Sequence, residues 1–213
     1  MIADVLVPPL AYLLGSISWG VIIGKVTRGV DVRHYGSGAT GMTNVLRVMG
    51  PRMAVLVLVL DLAKGVIAVL LAKVWAGNTM TEALAGILVI AGHNWPVFGG
   101  FHGGRGVTTG VGGLAVVSPL AASVSLAVFI PTVVVSRYVS LGSVLAVSTS
   151  MIAVATLVAL GAEPWQYLIY AGIGGPMILW RHKENIRRLL AGTERRLGQA
   201  AETPPKPSSE RQS

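Results

Sequence analysis

Long apolar runs alternate with short, glycine-rich polar stretches along this chain. Residues 5–24 contain no charged residue, and a membrane helix needs about 20 mostly apolar residues. Asp4 precedes the run and Lys25 follows it. A signal peptide has the opposite charge order, so a retained span is predicted. Residues 25–52 form a polar insert, and further spans are predicted over residues 53–72, 83–101, 138–160 and 165–180. Residues 107–136 carry no charge and contain Ser118 and Pro119 near their middle. Proline ends or kinks a helix, so this stretch predicts a tight pair of short spans. The expectation is an all-α integral membrane protein of about seven transmembrane helices, some short or tilted, with Gly-rich cytoplasmic loops. A single domain is expected over residues 1–200, and residues 201–213, rich in Pro, Ser and Glu, read as a disordered C-terminal tail.

Composition narrows the class. Charged residues make up 12% of the chain, about half the usual share of a soluble domain. Hydrophobic residues make up 53%, and mean hydropathy is +0.67. A disordered chain is excluded by the same numbers. Cysteine is absent, which removes disulfide frameworks, zinc–thiolate sites and a cysteine acyl-enzyme. The net charge is +8. With seven spans, one side receives residues 25–52, Arg105, Arg137 and the tail, which hold 15 of the 17 basic residues. The positive-inside rule assigns that side to the cytoplasm and leaves the N-terminus outside.

Three polar segments share this side. The first runs from Gly36 through Ser37, Gly38 and Gly41 to Thr43, Asn44 and Arg47. Its glycines match a dinucleotide fingerprint, but the strand and βαβ unit that motif requires are missing. Glycines still let backbone N–H groups approach an oxyanion, and a helix beginning near Thr43 would add its positive end. A plain linker between spans accounts for the same glycines. In the second segment, residues 92–109, Arg105 stands alone among Gly103, Gly104 and Gly106. Small residues also serve close helix packing, but packing does not explain an arginine, which calls for an anion. His93 reads as a proton carrier or as a hydrogen-bonded residue at a helix end.

The third set is split between residues 137–143 and 181–190. His182 and Asn185 are three apart and would share one side of a helix. Arg187 and Arg188 read as anionic-lipid contacts. A positive-inside anchor explains the arginines of this tail but leaves Ser143, His182 and Asn185 without a reason. Asp61 and Lys64, three apart inside a span, read as a mutual ion pair facing the bundle interior, with a substrate role as the alternative. No G-x-S-x-G elbow, H-E-x-x-H or complete P-loop motif occurs. Basic groups, glycine-rich backbone, hydroxyls and amides are what remain, a set suited to holding phosphate.

The ordered blocks G-S-G-(x)4-T-N-V-L-R, D-L-x-K-G, G-H-x-x-P-x-F-x-x-F-x-G-G-R-G-V-x-T, R-Y-V-S-L-x-S and R-H-x-E-N-I-x-R-L-L-x-G-x-E span about Leu13 to Glu194. In this order they resemble the bacterial acyl-phosphate:glycerol-3-phosphate acyltransferase family. The resemblance implies a seven-span enzyme of the bacterial inner membrane with a cytoplasmic C-terminus. It implies transfer of a fatty acyl group from acyl phosphate to the 1-hydroxyl of glycerol 3-phosphate, giving lysophosphatidate and phosphate, the first step of phospholipid synthesis. It further implies a phosphate site of Ser37, Arg47, Arg105, Ser143, His182 and Asn185, with Thr43 and Asn44 near the reacting groups. The loop Gly103–Gly106 would bind glycerol 3-phosphate, with His93 and Thr108 nearby. Implied partners are both substrates, membrane lipids and the enzyme that makes acyl phosphate, with no nucleic acid, cofactor or metal. Three positions in two blocks depart from the pattern: Ala39 and Met42 replace the family's Asn and Ala, and Arg105 replaces its Lys. Arg keeps the charge but differs in shape.

The expected mechanism is direct transfer without a covalent enzyme intermediate, because acyl phosphate is already a mixed anhydride. The rival reading is a transporter or channel for an organic phosphate, which glycine-broken helices and buried basic residues also suit. It predicts two halves of matching hydropathy, and no such repeat is visible. A lipid-binding scaffold fits the tail but not the loops.

Overall fold

The computed structural model describes residues 1–199, and within them the chain is helical with no strand. The tail expected to be disordered, residues 201–213, lies outside the described residues. Helix α1 (Ile2–Gly15) is followed by α2 (Trp19–Arg28), α3 (Met42–Met49), α4 (Pro51–Trp75) and α5 (Thr79–Asn94). Then come α6 (Val107–Val117), α7 (Pro119–Ser136) and α8 (Val139–Ala159). The last apolar stretch holds α9 (Gln166–Ile169), a π turn (Tyr170–Gly174) and α10 (Gly175–Arg181), and α11 (Lys183–Leu190) follows. Four segments are long and apolar enough to cross a membrane: Ile2–Arg28, Pro51–Trp75, Pro119–Ser136 and Val139–Ala159.

Local chemistry sets the boundaries. Pro51 opens α4, where its missing N–H costs nothing. Asn78 caps α5 by accepting from Thr81 N at 2.9 Å. The expected break at Ser118 and Pro119 is present: Ser118 caps α7 and also donates to Glu163 Oε1 at 2.6 Å. Two expectations need correction. The run 83–101 is not one helix, because α5 stops at Asn94 and Pro96 holds an extended backbone. The run 5–24 is broken at Ser16–Ser18.

α4 packs on α6, α1 on α5, and α7 on α8. The α4–α6 contact is backbone to backbone. A Cβ on Gly65 would lie 2.1 Å from Thr109 O, so only glycine fits there. One core, including Ile90, Leu114, Val147 and Ile178, joins α5, α6, α8 and α10; a second, including Ile23, Val45 and Val57, joins α2, α3 and α4. The outward residues of the long helices are apolar too, among them Val59, Ile130, Val134 and Ile152. Such a surface matches lipid rather than water.

Candidate functional site

The loop of residues 29–41 folds around one side chain. Asn44 is buried on α3; it accepts from Ser37 N at 2.9 Å and donates to the carbonyls of Val32, Tyr35 and Ala39. Gly36 and Gly38 take left-handed backbone within this loop, and Gly41 stands at the start of α3. The second loop, residues 95–106, is held by Arg33 Nη1, which donates to Gly99 O at 2.7 Å, and by Arg181. The Arg181 guanidinium donates to Gly104 O at 3.0 Å and Gly103 O at 3.3 Å and lies over the Trp95 ring. Gly103 and Gly104 lie directly against His93. A Cβ on Gly104 would stand 2.0 Å from His93 Nε2, and one on Gly103 would stand 2.1 Å from His93 O.

Two cavities meet where these loops meet. A polar one of about 390 Å³ is lined by Gly36, Ser37, Gly38, Arg47, Gly103, Arg105 and Asn185, together with Arg181, Lys183, Arg188, Glu194 and Arg195. An apolar one of about 380 Å³ extends between α4, α6, α7 and α8 past Leu58, Leu62, Val111, Leu126, Phe129 and Ile130. Its polar end includes Ser37, Gly41, Thr43, Asn44, Arg47, His93, Arg105, Thr108, Ser143, His182 and Glu194. Ser37, Arg47, Arg105 and Glu194 border both. Fourteen of the residues expected from sequence thus line one or both cavities; Gly104 and Gly106 lie behind them as backbone supports.

The electrostatics favour an anion at the junction. The side chains of Arg47 and Arg105 make no hydrogen bond or ion pair among the described residues. Burial, reinforced by Arg188, Arg47 and Arg181 and opposed by Glu194, lowers the Arg105 guanidinium to about 10, which leaves it charged at neutral pH. Arg47 is lowered by burial and by Arg195 and Arg188, again against Glu194. A partly buried cation without a partner is costly until an anion joins it.

The remaining expected residues occupy distinct positions. His182 is not on one helix with Asn185; it is the residue between α10 and α11. Its Nδ1 lies 2.8 Å from Ile178 O, so Nδ1 carries the proton and Nε2 is the acceptor. Burial and the charges of Arg105 and Arg181 outweigh that bond and the charge of Glu194, lowering the imidazole to about 4. Asn185 donates to Glu194 Oε1 at 2.7 Å, while its own buried oxygen has no partner. Ser143 donates back to Val139 O in its own helix at 2.9 Å. Asp61 and Lys64 form the expected interior ion pair at 3.0 Å.

Glu194 was not singled out as a site residue by the sequence reading. It also accepts from Ser140 Oγ at 2.8 Å and Arg188 Nε at 2.7 Å. Burial would raise its carboxyl, but the bonds from Asn185, Ser140 and Arg188 hold it below the usual range. The available signal was its place as the acid that closes the last block after three arginines and a glycine. Arg188, expected at lipid headgroups, instead faces the polar cavity.

A family model described as glycerol-3-phosphate acyltransferase matches residues 5–192. A glycerol-3-phosphate acyltransferase of Thermoanaerobacter sp. (strain X514) is 46% identical over 198 residues, covering 93% of this chain and 98% of its own. One from Halalkalibacterium halodurans is 47% identical over 195 residues, covering 91% and 95%. Among solved structures, PlsY (YgiH), an integral membrane glycerol 3-phosphate acyltransferase, in its glycerol 3-phosphate form superposes with a TM-score of 0.85. It is 41% identical, covering 92% of this chain and 96% of that one. On the extent of these matches, the chain is a multi-pass membrane acyltransferase and belongs to the glycerol-3-phosphate acyltransferase family.

Proposed function

We propose that this enzyme transfers a fatty acyl group from acyl phosphate to the 1-hydroxyl of glycerol 3-phosphate, releasing lysophosphatidate and phosphate. The carrying observation is the junction itself: two guanidiniums, Arg47 and Arg105, without a partner among the described residues, where a basic basin meets an apolar slot. An acyl phosphate has that shape, an anionic head on a long apolar tail. Its tail would lie along Leu58, Leu62, Phe129 and Ile130, and its head would meet Arg47 and the Ser37 loop, leaving Arg105 to the acceptor. Glycerol 3-phosphate would occupy the basic basin against residues 103–106. Leu62, Leu126 and Ile130, which line this slot, are exposed, which suits sideways entry from the bilayer.

The reaction needs no enzyme nucleophile. The acceptor hydroxyl oxygen attacks the acyl carbon, the carbon–oxygen bond to phosphate breaks, and phosphate leaves with the bonding pair. Positioning two anions and stabilising the developing charge is the enzyme's task. The hydroxyl proton passes to the leaving phosphate. An imidazole lowered to about 4 is a weaker base than the departing phosphate, whose negative charge grows as the bond to the acyl carbon breaks. His182 would therefore serve through Nε2 as a neutral hydrogen-bond acceptor that orients the hydroxyl. Seven crossings of the bacterial inner membrane, with the N-terminus outside, place the site at the cytoplasmic face. This orientation is supported by the basic residues around the basin.

The test is purified enzyme with acyl phosphate and glycerol 3-phosphate. Lysophosphatidate and phosphate should form in equal amounts. Activity with acyl-CoA or acyl carrier protein in place of acyl phosphate would overturn the donor. Arg105→Ala should raise KM for glycerol 3-phosphate about 10- to 100-fold, since a charge-assisted contact is lost. An unchanged KM would remove Arg105 from that role.

A further inference from the structure

Asp61, Lys64 and His93 are buried together at the inner wall of the site, where Asp61 and His93 border the apolar cavity, and the transfer step uses none of them directly. The break between α1 and α2 frees backbone carbonyls inside the bundle. Lys64 Nζ donates to two of them, Gly15 O and Ile17 O, both at 3.0 Å, and its third contact is Asp61 Oδ1 at 3.0 Å. The ammonium thus sits among three oxygens, two of them carbonyls to which it donates. The same Asp61 oxygen lies 3.5 Å from His93 Nδ1. The far edge of that ring abuts Gly104, and His93 O accepts from Gly104 N at 3.0 Å.

The break also holds the start of the second loop. Tyr12 Oη donates to Trp95 O at 2.8 Å, and Val97 N donates to Ser16 Oγ at 3.4 Å. Both ends of residues 95–104 are therefore referred to one place in the bundle. An apolar pair would fill the same volume as Asp61 and Lys64, but it would leave the carbonyls unpaired and the His93 ring untethered. We propose that Asp61 and Lys64 are positioning residues: through His93 and the α1–α2 break they set the glycine turn that presents Arg105. The inference rests on the reading of Arg105 as a ligand of glycerol 3-phosphate.

The variant that reads it is Asp61→Asn, which keeps shape and removes charge, assayed in detergent beside His93→Gln and the double variant. Asp61→Asn should raise KM for glycerol 3-phosphate roughly 10-fold, with kcat and the KM for the acyl donor near wild type. His93→Gln should act in the same direction, and the double variant should be no worse than the weaker single variant, because both cut one linkage. A merely structural role lowers the folded fraction, and so the maximal rate, with both KM values unchanged. That result, or effects that multiply in the double variant, overturns the proposal. Lys64→Met is measured only after its folded yield matches wild type. The KM is read with whichever acyl donor the wild type accepts. Failure of the acyl phosphate assignment is thereby told apart from failure of the positioning role.

Discussion

His182 and Arg105 differ by the same physics. Both are pressed into a region crowded by arginines, where a guanidinium stays charged and an imidazole does not. The folded His182 refuses protons that the unfolded chain accepts between pH 6.5 and about 4. Its contribution to stability is thus complete above pH 6.5 and is lost as pH falls through that window. The loss should be on the order of 3 kcal/mol by pH 4. Thermal midpoints in detergent at pH 7.5, 6 and 5 should fall for the wild type and fall less for His182→Gln. The pH–rate profile of His182→Gln should keep the wild-type shape, whereas replacing a titrating catalytic imidazole would remove an inflection. At this scale the sequence was informative wherever charge sat in an unlikely place: Arg105 among glycines, or Lys64 in an apolar run. It was silent on Asn44 as the centre of its loop and on Glu194 as the acceptor for Ser140, Asn185 and Arg188. Those roles depend on distances that only the fold creates.

Elements were legible where breakers are strong. Ser118 and Pro119 divided the uncharged run as expected, because the proline lacks a donor and the serine supplies a cap. The segment 95–101 was over-read, since Val97, Phe98 and Phe101 keep hydropathy high after Pro96 has ended the helix. The π turn over Tyr170–Gly174 has no signature in the apolar pattern. Helix contacts rest on glycine pairs that sequence leaves ambiguous between packing and ligand binding. Gly65 and Gly112 are of the packing kind: a Cβ on either would lie within 2.3 Å of a backbone oxygen of the facing helix. Gly65→Val should push α6 off α4, lowering stability by about 1–3 kcal/mol or more. It should also lower activity by displacing Thr108 and Val111 from the slot. Gly172→Ala, with open space around it, should leave the thermal midpoint unchanged or raise it slightly. Melting curves of the two variants compare crowding with propensity.

The whole molecule turns on how short helices cross a thick membrane. An α-helix rises about 1.5 Å per residue, so the 11 residues of α6 reach about 17 Å, against a hydrocarbon core of about 30 Å. α5, with 16 residues, is also short. If both cross, the loop between them lies below the membrane surface, where backbone is tolerated only when protein or a water-filled cavity surrounds it. The loop meets that condition: Arg181, Tyr12 and Arg33 hold its carbonyls, and the polar cavity opens over Arg105. A recessed site has a chemical use, since it brings a water-soluble phosphate down to the level of a lipid-borne acyl group. The absence of cysteine makes the crossing count testable with single substitutions at two exposed loop positions, His34→Cys and Ala162→Cys. With α6 and α7 as separate crossings, five spans separate these positions and they lie on opposite sides. A membrane-impermeant maleimide should then label Ala162→Cys in intact cells and His34→Cys only after permeabilisation. Equal accessibility would make α6 a re-entrant half-helix and leave an even number of crossings between them. Labelling of His34→Cys alone in intact cells would reverse the orientation and set the basic basin outside, against the positive-inside bias.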